Sequence, residues 1–186
     1  PARIARVRGR CYLFLVMALL PILKYPDPRL REAAKPVAKI TPEILELIEN
    51  MAETMYDAPG CGLAANQIGV ALRIFVIDTA AEDEPSDLKV FINPELLELD
   101  GVQVWEEGCL SFPGATEEIK RAERVKVRAK DRDGKEFTLE ADGLLAVAIQ
   151  HENDHLNGVL MIDKLSALKK RMMSKKVEKA KAEARA

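Results

Sequence analysis

Behind Thr41-Pro42, the apolar residues Ile44, Leu47, Ile48, Met51 and Met55 recur at helical spacing, and Gly60 lies just past their end. The spacing predicts a helix opened by Thr41. The run Ala71–Asp78 (ALRIFVID) has the length and apolarity of a buried strand, and residues 80–87 form a polar, acidic loop after it. Val90–Asn93 and Val102–Trp105 read as two further short strands. Residues 124–130 alternate: Val125, Val127 and Ala129 face one way, with Arg124, Lys126, Arg128 and Lys130 opposite, as in a half-exposed strand. Asp133-Gly134 signals a hairpin turn, with 135–140 as the returning strand. From Leu144 to Leu156 the chain is apolar over most of a helical circumference until Asn157-Gly158 stops it, which predicts a buried helix. Beyond it, Leu165, Leu168, Met172, Val177, Ala180 and Ala184 recur among lysines, the pattern of a basic amphipathic helix. Near the start, Tyr25-Pro26-Asp27-Pro28 is a turn in which Asp27 caps a short helix with Pro28 at its first position. Strands precede a central buried helix without regular alternation or internal repeat. The expected fold is therefore α+β: one domain, antiparallel or mixed sheets around that helix, and a C-terminal helix.

Composition narrows the class. The chain has 186 residues, 48% hydrophobic and 31% charged, which fits one globular domain and excludes a disordered chain or a multi-span membrane protein. Three scattered cysteines, Cys11, Cys61 and Cys109, are too few for a disulfide framework and point to a reducing compartment. The net charge of −2 divides unevenly: +4 over residues 1–16, −13 over 17–163 and +7 over 164–186. An acidic body with a basic tail is a poor general nucleic-acid binder, although the tail can dock on something anionic. The arginines and the apolar run of residues 11–23 imitate a signal peptide, but the run is too short to span a bilayer and no cleavage site follows. Residues 1–16 are expected to be an extension, non-native or disordered, upstream of a natural start at Met17, with an organellar transit remnant as the lesser reading. Residues 17–165 then form the catalytic domain and 166–186 the basic helix.

His151 and His155, the only two histidines, flank Glu152, Asn153 and Asp154. Four residues apart on a helix, both imidazoles can reach one ion, and Glu152 stands beside them to hold or deprotonate a water. An apolar helix should not bury two imidazoles with Glu152 and Asp154 unless something compensates them, and a metal does. A catalytic site usually needs a third protein ligand and an open position. Cys109, in Glu106-Glu107-Gly108-Cys109-Leu110-Ser111, is the best candidate, whereas Cys61 and Cys11 read as small hydrophobes.

A third segment, Gly60-Cys61-Gly62-Leu63-Ala64-Ala65-Asn66-Gln67, completes a set. Together the three strongly resemble peptide deformylase, whose motifs run G-x-G-L-A-A-x-Q, E-G-C-L-S and H-E-x-D-H in this order. The likeness extends from about Leu20 to the C-terminus, and the basic tail makes it similar to the bacterial type 1 subclass. Thr116 stands where some members carry an arginine. The resemblance implies hydrolysis of the N-formyl group from the formylmethionine of nascent polypeptides, releasing formate. Cys109, His151 and His155 would be the metal ligands, with Glu152 as general base and then acid. Gln67 and the Leu110 N–H would be the oxyanion donors. Glu107 and Asp154 would orient the ligands. Gly60, Gly62, Leu63, Gly108, Leu144 and Val147 would contact substrate. Fe2+ is the implied metal, with Zn2+, Ni2+ or Co2+ able to substitute, although affinity order alone favours Zn2+. The implied setting is the bacterial cytoplasm, near the ribosomal exit tunnel through the basic helix, with no membrane. Two rivals are a zinc endopeptidase, disfavoured by the cysteine ligand and small size, and a non-catalytic ribosome- or RNA-binding module, disfavoured by Glu152.

Overall fold

In the computed structural model, which describes residues 3–7, 10–14, 18–81 and 83–184, Arg3–Val7 (β1) pairs antiparallel with Arg10–Phe14 (β2). The remaining residues of the expected extension, and Met17, lie outside the described residues. A 3-10 turn, Pro28–Arg31, follows, capped as expected by Asp27, which accepts from the Arg29 N–H at 3.0 Å. The helix behind Thr41 is Pro42–Asp57 (α1). Then come Gly62–Ala64 (β3), a 3-10 turn at Ala65–Ile68, Ile74–Ile77 (β4), Lys89–Asp100 (β5) and Gln103–Gly108 (β6). Thr116–Arg121 (β7), Arg124–Lys130 (β8), Glu136–Ala141 (β9), Gly143–Leu156 (α2) and Ala167–Glu183 (α3) complete the order.

The main sheet runs β3-β4-β5-β8-β9, with every neighbour antiparallel. Strand β4 is buried on both faces, and its alternation divides the core. Ile74 and Val76 pack with Ile92 against Ile48, Met51 and Met55 of α1. Phe75 and Ile77 point the other way, joining Phe91, Val125 and Val127 against Ala146, Ala148 and Ile149 of α2. Helix α2 is thus covered by the sheet on one side. A separate two-stranded sheet, β6-β7, supplies groups that meet its polar residues. Among the described residues no helix is long and apolar enough to cross a membrane.

Three departures from the expected elements have physical reasons. Strand β5 continues to Asp100 rather than ending near Asn93, because register shifts after Ile92 and Leu96 break the period-2 pattern. Its acidic end is matched by β8 cations, Arg128 on Glu95 at 2.6 Å and Lys126 on Glu98 at 3.5 Å. Strand β7 (TEEIKR) has no counterpart among the expected elements, since only Ile119 and Arg121 are buried and the period-2 signal is weak. In α3 the inward seam is Met173 and Val177, packed with Phe112 and Leu160, whereas Leu168 and Met172 face solvent.

Phe91 has no exposed surface and lies 4.7 Å from Phe75 and 5.6 Å from Phe137, centroid to centroid. Phe91→Ala is expected to lower stability by ~3–5 kcal/mol, the range for truncating a buried aromatic. Urea unfolding followed by tryptophan fluorescence measures it.

Candidate metal centre

Strand β6 ends at Gly108 and delivers Cys109 to the side of α2 that carries His151 and His155. One ligand atom from each lies within 4.8 Å of the others. Cys109 Sγ is 3.3 Å from His155 Nε2, and the two imidazole centroids are 5.0 Å apart at 68°. His151 turns its Nδ1–H to Glu107 Oε2 at 2.8 Å, which leaves Nε2 for the shared point.

The electrostatics favour a cation there. Burial works against charge on His151, but the sulfur of Cys109 and the carboxylate of Glu107 outweigh it and push its imidazole well above the usual range. Burial and the neighbouring His151 drive His155 well below it. Glu152 is buried with Oε2 unpaired, and burial pushes its carboxyl up to about 7. Sulfur and two imidazole nitrogens, converging beside an uncompensated carboxylate, are a donor set suited to a divalent transition metal.

Around this point lies a cleft of about 570 Å³ whose walls include Gly60, Cys61, Gly62, Gln67, Gly108, Leu110, Phe112, Thr116 and Glu152. Two glycines allow close approach. A Cβ on Gly62 would sit 2.5 Å from Glu152 Oε1, and one on Gly60 would sit 2.7 Å from Leu110 Cδ1. Gln67 is buried and locked: its Oε1 accepts from the Ala64 N–H at 2.8 Å, so its Nε2 faces Ser111 Oγ at 3.2 Å and Cys109 Sγ at 3.6 Å. Leu63 is not in the cleft lining but in the core beneath it. Leu144, 38% exposed, and buried Val147 stand upstream of His151 on α2, outside that lining too.

Sequence reasoning missed Arg121. Its Nε and Nη2 grip Glu107 at 2.6 and 2.9 Å, while Nη1 reaches Asp154 Oδ2, which Lys164 Nζ also meets at 3.0 Å. Burial opposes the charge on Glu107, yet Arg121 and His151 hold its carboxyl down at about 2. One guanidinium therefore joins the residue that orients His151 to the one preceding His155. In the sequence it is one more charge in a charged run; β7 pairs with β6 so that Arg121 lies opposite Gln103, and its side chain reaches from there to Glu107. Lys24 was missed as well; it lines the cleft and donates to the Leu110 carbonyl at 2.6 Å.

Cys109→Ala, His151→Ala or His155→Ala should each strip the bound metal, since two ligands remain. Elemental analysis decides it, and full occupancy in Cys109→Ala overturns the ligand assignment. Arg121→Met, with all ligands intact, should weaken metal retention by ~10–100-fold, as when outer partners are lost. Competition with a chelator reads that change.

The comparisons with known proteins agree with this geometry. The family model described as Polypeptide deformylase matches residues 19–171. Peptide deformylase of Chromobacterium violaceum is 53% identical over 163 residues, 88% of this chain and 96% of that protein. That of Saccharophagus degradans is 54% identical over 164 residues, covering 88% and 94% respectively. Among solved structures, a peptide deformylase from Legionella pneumophila superposes with a TM-score of 0.86 at 48% identity, covering 91% of this chain and 99% of that one. One from Synechococcus elongatus in complex with actinonin gives 0.80 at 42% identity, covering 86% of each. With the family model spanning most of the chain and its Cys-His-His cluster assembled, the protein belongs to the polypeptide deformylase family.

Proposed function

We propose that this chain hydrolyses the N-formyl group of formylmethionyl polypeptides to formate and a free amino terminus, with Fe2+ as the physiological ion and Zn2+, Ni2+ or Co2+ able to replace it. Cys109, His151 and His155 would hold that ion. When bound, it polarises a carbonyl and lowers the pKa of a water toward neutrality. The carrying observation is Glu152, whose Oε2 is buried, unpaired and beside the cleft. That carboxylate is placed to take the proton from the attacking water and return it to the departing amine nitrogen as the C–N bond breaks. The Nε2 of Gln67 and the Leu110 N–H, which no described backbone group accepts, are the donors for the charge that grows on the formyl oxygen. Glu107, through His151, and Asp154, through Arg121, keep the ligands oriented. Gly60, Gly62 and Gly108 leave room for the peptide backbone. Leu144 and Val147, at i−7 and i−4 from His151, share its helical face outside the cleft lining, so the methionine would extend past the lining toward that face, with Leu63 backing the cleft from the core.

The substrate places the work in the bacterial cytoplasm, where formylated chains emerge. Helix α3 is fastened inward through Met173 and Val177 and by Lys169 on Glu117 at 2.7 Å. Arg171, Lys175, Lys176 and Lys179 remain exposed outward, a face suited to ribosomal RNA phosphates near the exit tunnel.

Glu152→Gln should retain metal while losing at least ~10²-fold in rate on formyl-Met peptides, with formyl-free peptides inert throughout. Gln67→Ala should lose ~10²–10³-fold, again with metal retained. Near-normal turnover by Glu152→Gln would overturn the mechanism. For the tail, reversing Lys175, Lys176 and Lys179 to Glu should weaken co-sedimentation with ribosomes and leave hydrolysis of free peptides intact. Binding by the unaltered chain should fall steeply with salt. Equal sedimentation of the two proteins refutes docking through this face.

A further inference from the structure

The two oxyanion donors come from distant parts of the chain, and a single short segment ties them together. Leu23 N–H donates to the Gln67 carbonyl at 2.7 Å, and Tyr25 N–H donates to the Ser111 carbonyl at 2.9 Å. Between them, Lys24 Nζ donates to the Leu110 carbonyl at 2.6 Å. The Tyr25 ring stacks on Phe112 with centroids 4.9 Å apart, so the clasp is anchored at its far end. Two of these ties use backbone and survive any side chain. The third depends on lysine at position 24.

That third tie bears on the residue that matters. Among the described residues, no other group donates to the Leu110 carbonyl. Lys24 is half-buried and forms no ion pair with a described carboxylate, so its charge is directed at this carbonyl and at the neighbouring Cys109. A hydrogen bond from an ammonium is about twice as strong as a neutral one. Leu110 is therefore held on both sides: Cys109 is fixed through its sulfur, and the following peptide is fixed through its oxygen. Rotation of the Leu110 N–H away from the cleft would have to break one of these restraints.

We propose that Lys24 is a positioning residue that holds the Leu110 N–H at the separation from the Gln67 amide that the developing oxyanion requires. The inference rests on the deformylation reading above. It predicts a defect in the chemical step and none in metal binding or substrate capture. Lys24→Met keeps most of the apolar stem and removes the donor, whereas Lys24→Arg restores a cationic one. With the metal-loaded enzyme and formyl-Met peptides, Lys24→Met should lose about tenfold in kcat, less than removal of a donor itself, with KM nearly unchanged. Lys24→Arg should recover most of that loss. Hydrogen exchange at the amides of residues 109–112 should quicken in Lys24→Met and return toward the original rate in Lys24→Arg.

Four outcomes overturn the inference. They are kcat equal to the unaltered enzyme, a rise in KM alone, loss of metal, and a kcat defect that Lys24→Arg fails to rescue. If the unaltered enzyme itself leaves formyl-Met peptides intact, the deformylation reading has failed. In that case the exchange measurement still decides whether Lys24 holds the 109–112 backbone.

Discussion

The ion pair between Arg121 and Glu107, each side chain 3% exposed, is the interaction on which the metal centre depends. Charges this far from water are expensive unless paired and fully hydrogen-bonded, and losing one partner of such a pair costs about 3–5 kcal/mol. Here the pairing is complete. Both Glu107 oxygens are taken by the guanidinium, one of them also accepts from His151, and the last guanidinium nitrogen reaches Asp154. The pair links β6 to β7 and both strands to α2. It is scaffold and site at once, because moving Glu107 would release the tautomer of His151.

The apolar architecture explains how so much polarity can be buried beside a sheet. Strand β4 sends alternate residues to α1 and α2, so the sheet is covered on both faces and α2 lies within the body. Its apolar residues, Ala146, Ala148 and Ile149, meet the sheet. Its remaining circumference carries His151, Glu152 and Asp154 toward β6, β7 and the cleft. Small residues serve where backbone and side chain crowd, with Gly62 against Glu152 and Gly60 against Leu110. Gly60 and Gly62 are thus clearances around Leu110 and Glu152.

Helix α3 divides its faces by a different rule. Its inward seam is narrow, Met173 and Val177, and the tie of Lys169 to Glu117 supplements it. Leu168 and Met172, which helical spacing assigned to the buried side, face solvent because the helix meets the body along the Met173–Val177 line. Many near-equivalent apolar positions on a lysine-rich helix leave its rotation undetermined until the docking surface is known.

Local pattern by itself determined the helices behind Thr41 and Gly143, the alternation of β8, the hairpin at Asp133-Gly134 and the i, i+4 histidine pair. Each depends on residues within a few turns or one strand of one another. The choice of Cys109 as third ligand was also legible, because the motif around it is contiguous. Strand β7, the long end of β5 and the Arg121 hub were not legible. A strand whose side chains are mostly charged becomes a strand only when a partner takes its hydrogen bonds. Arg121 acquires its role only when β7 packs beside β6 and α2, which bring Glu107 and Asp154 to its guanidinium. Lys24 likewise meets Leu110 across 86 positions of chain. Short-range spacing sets which groups share a helix face or a strand face, whereas the partner that neutralises a buried charge is set by long-range packing and had to come from the tertiary structure.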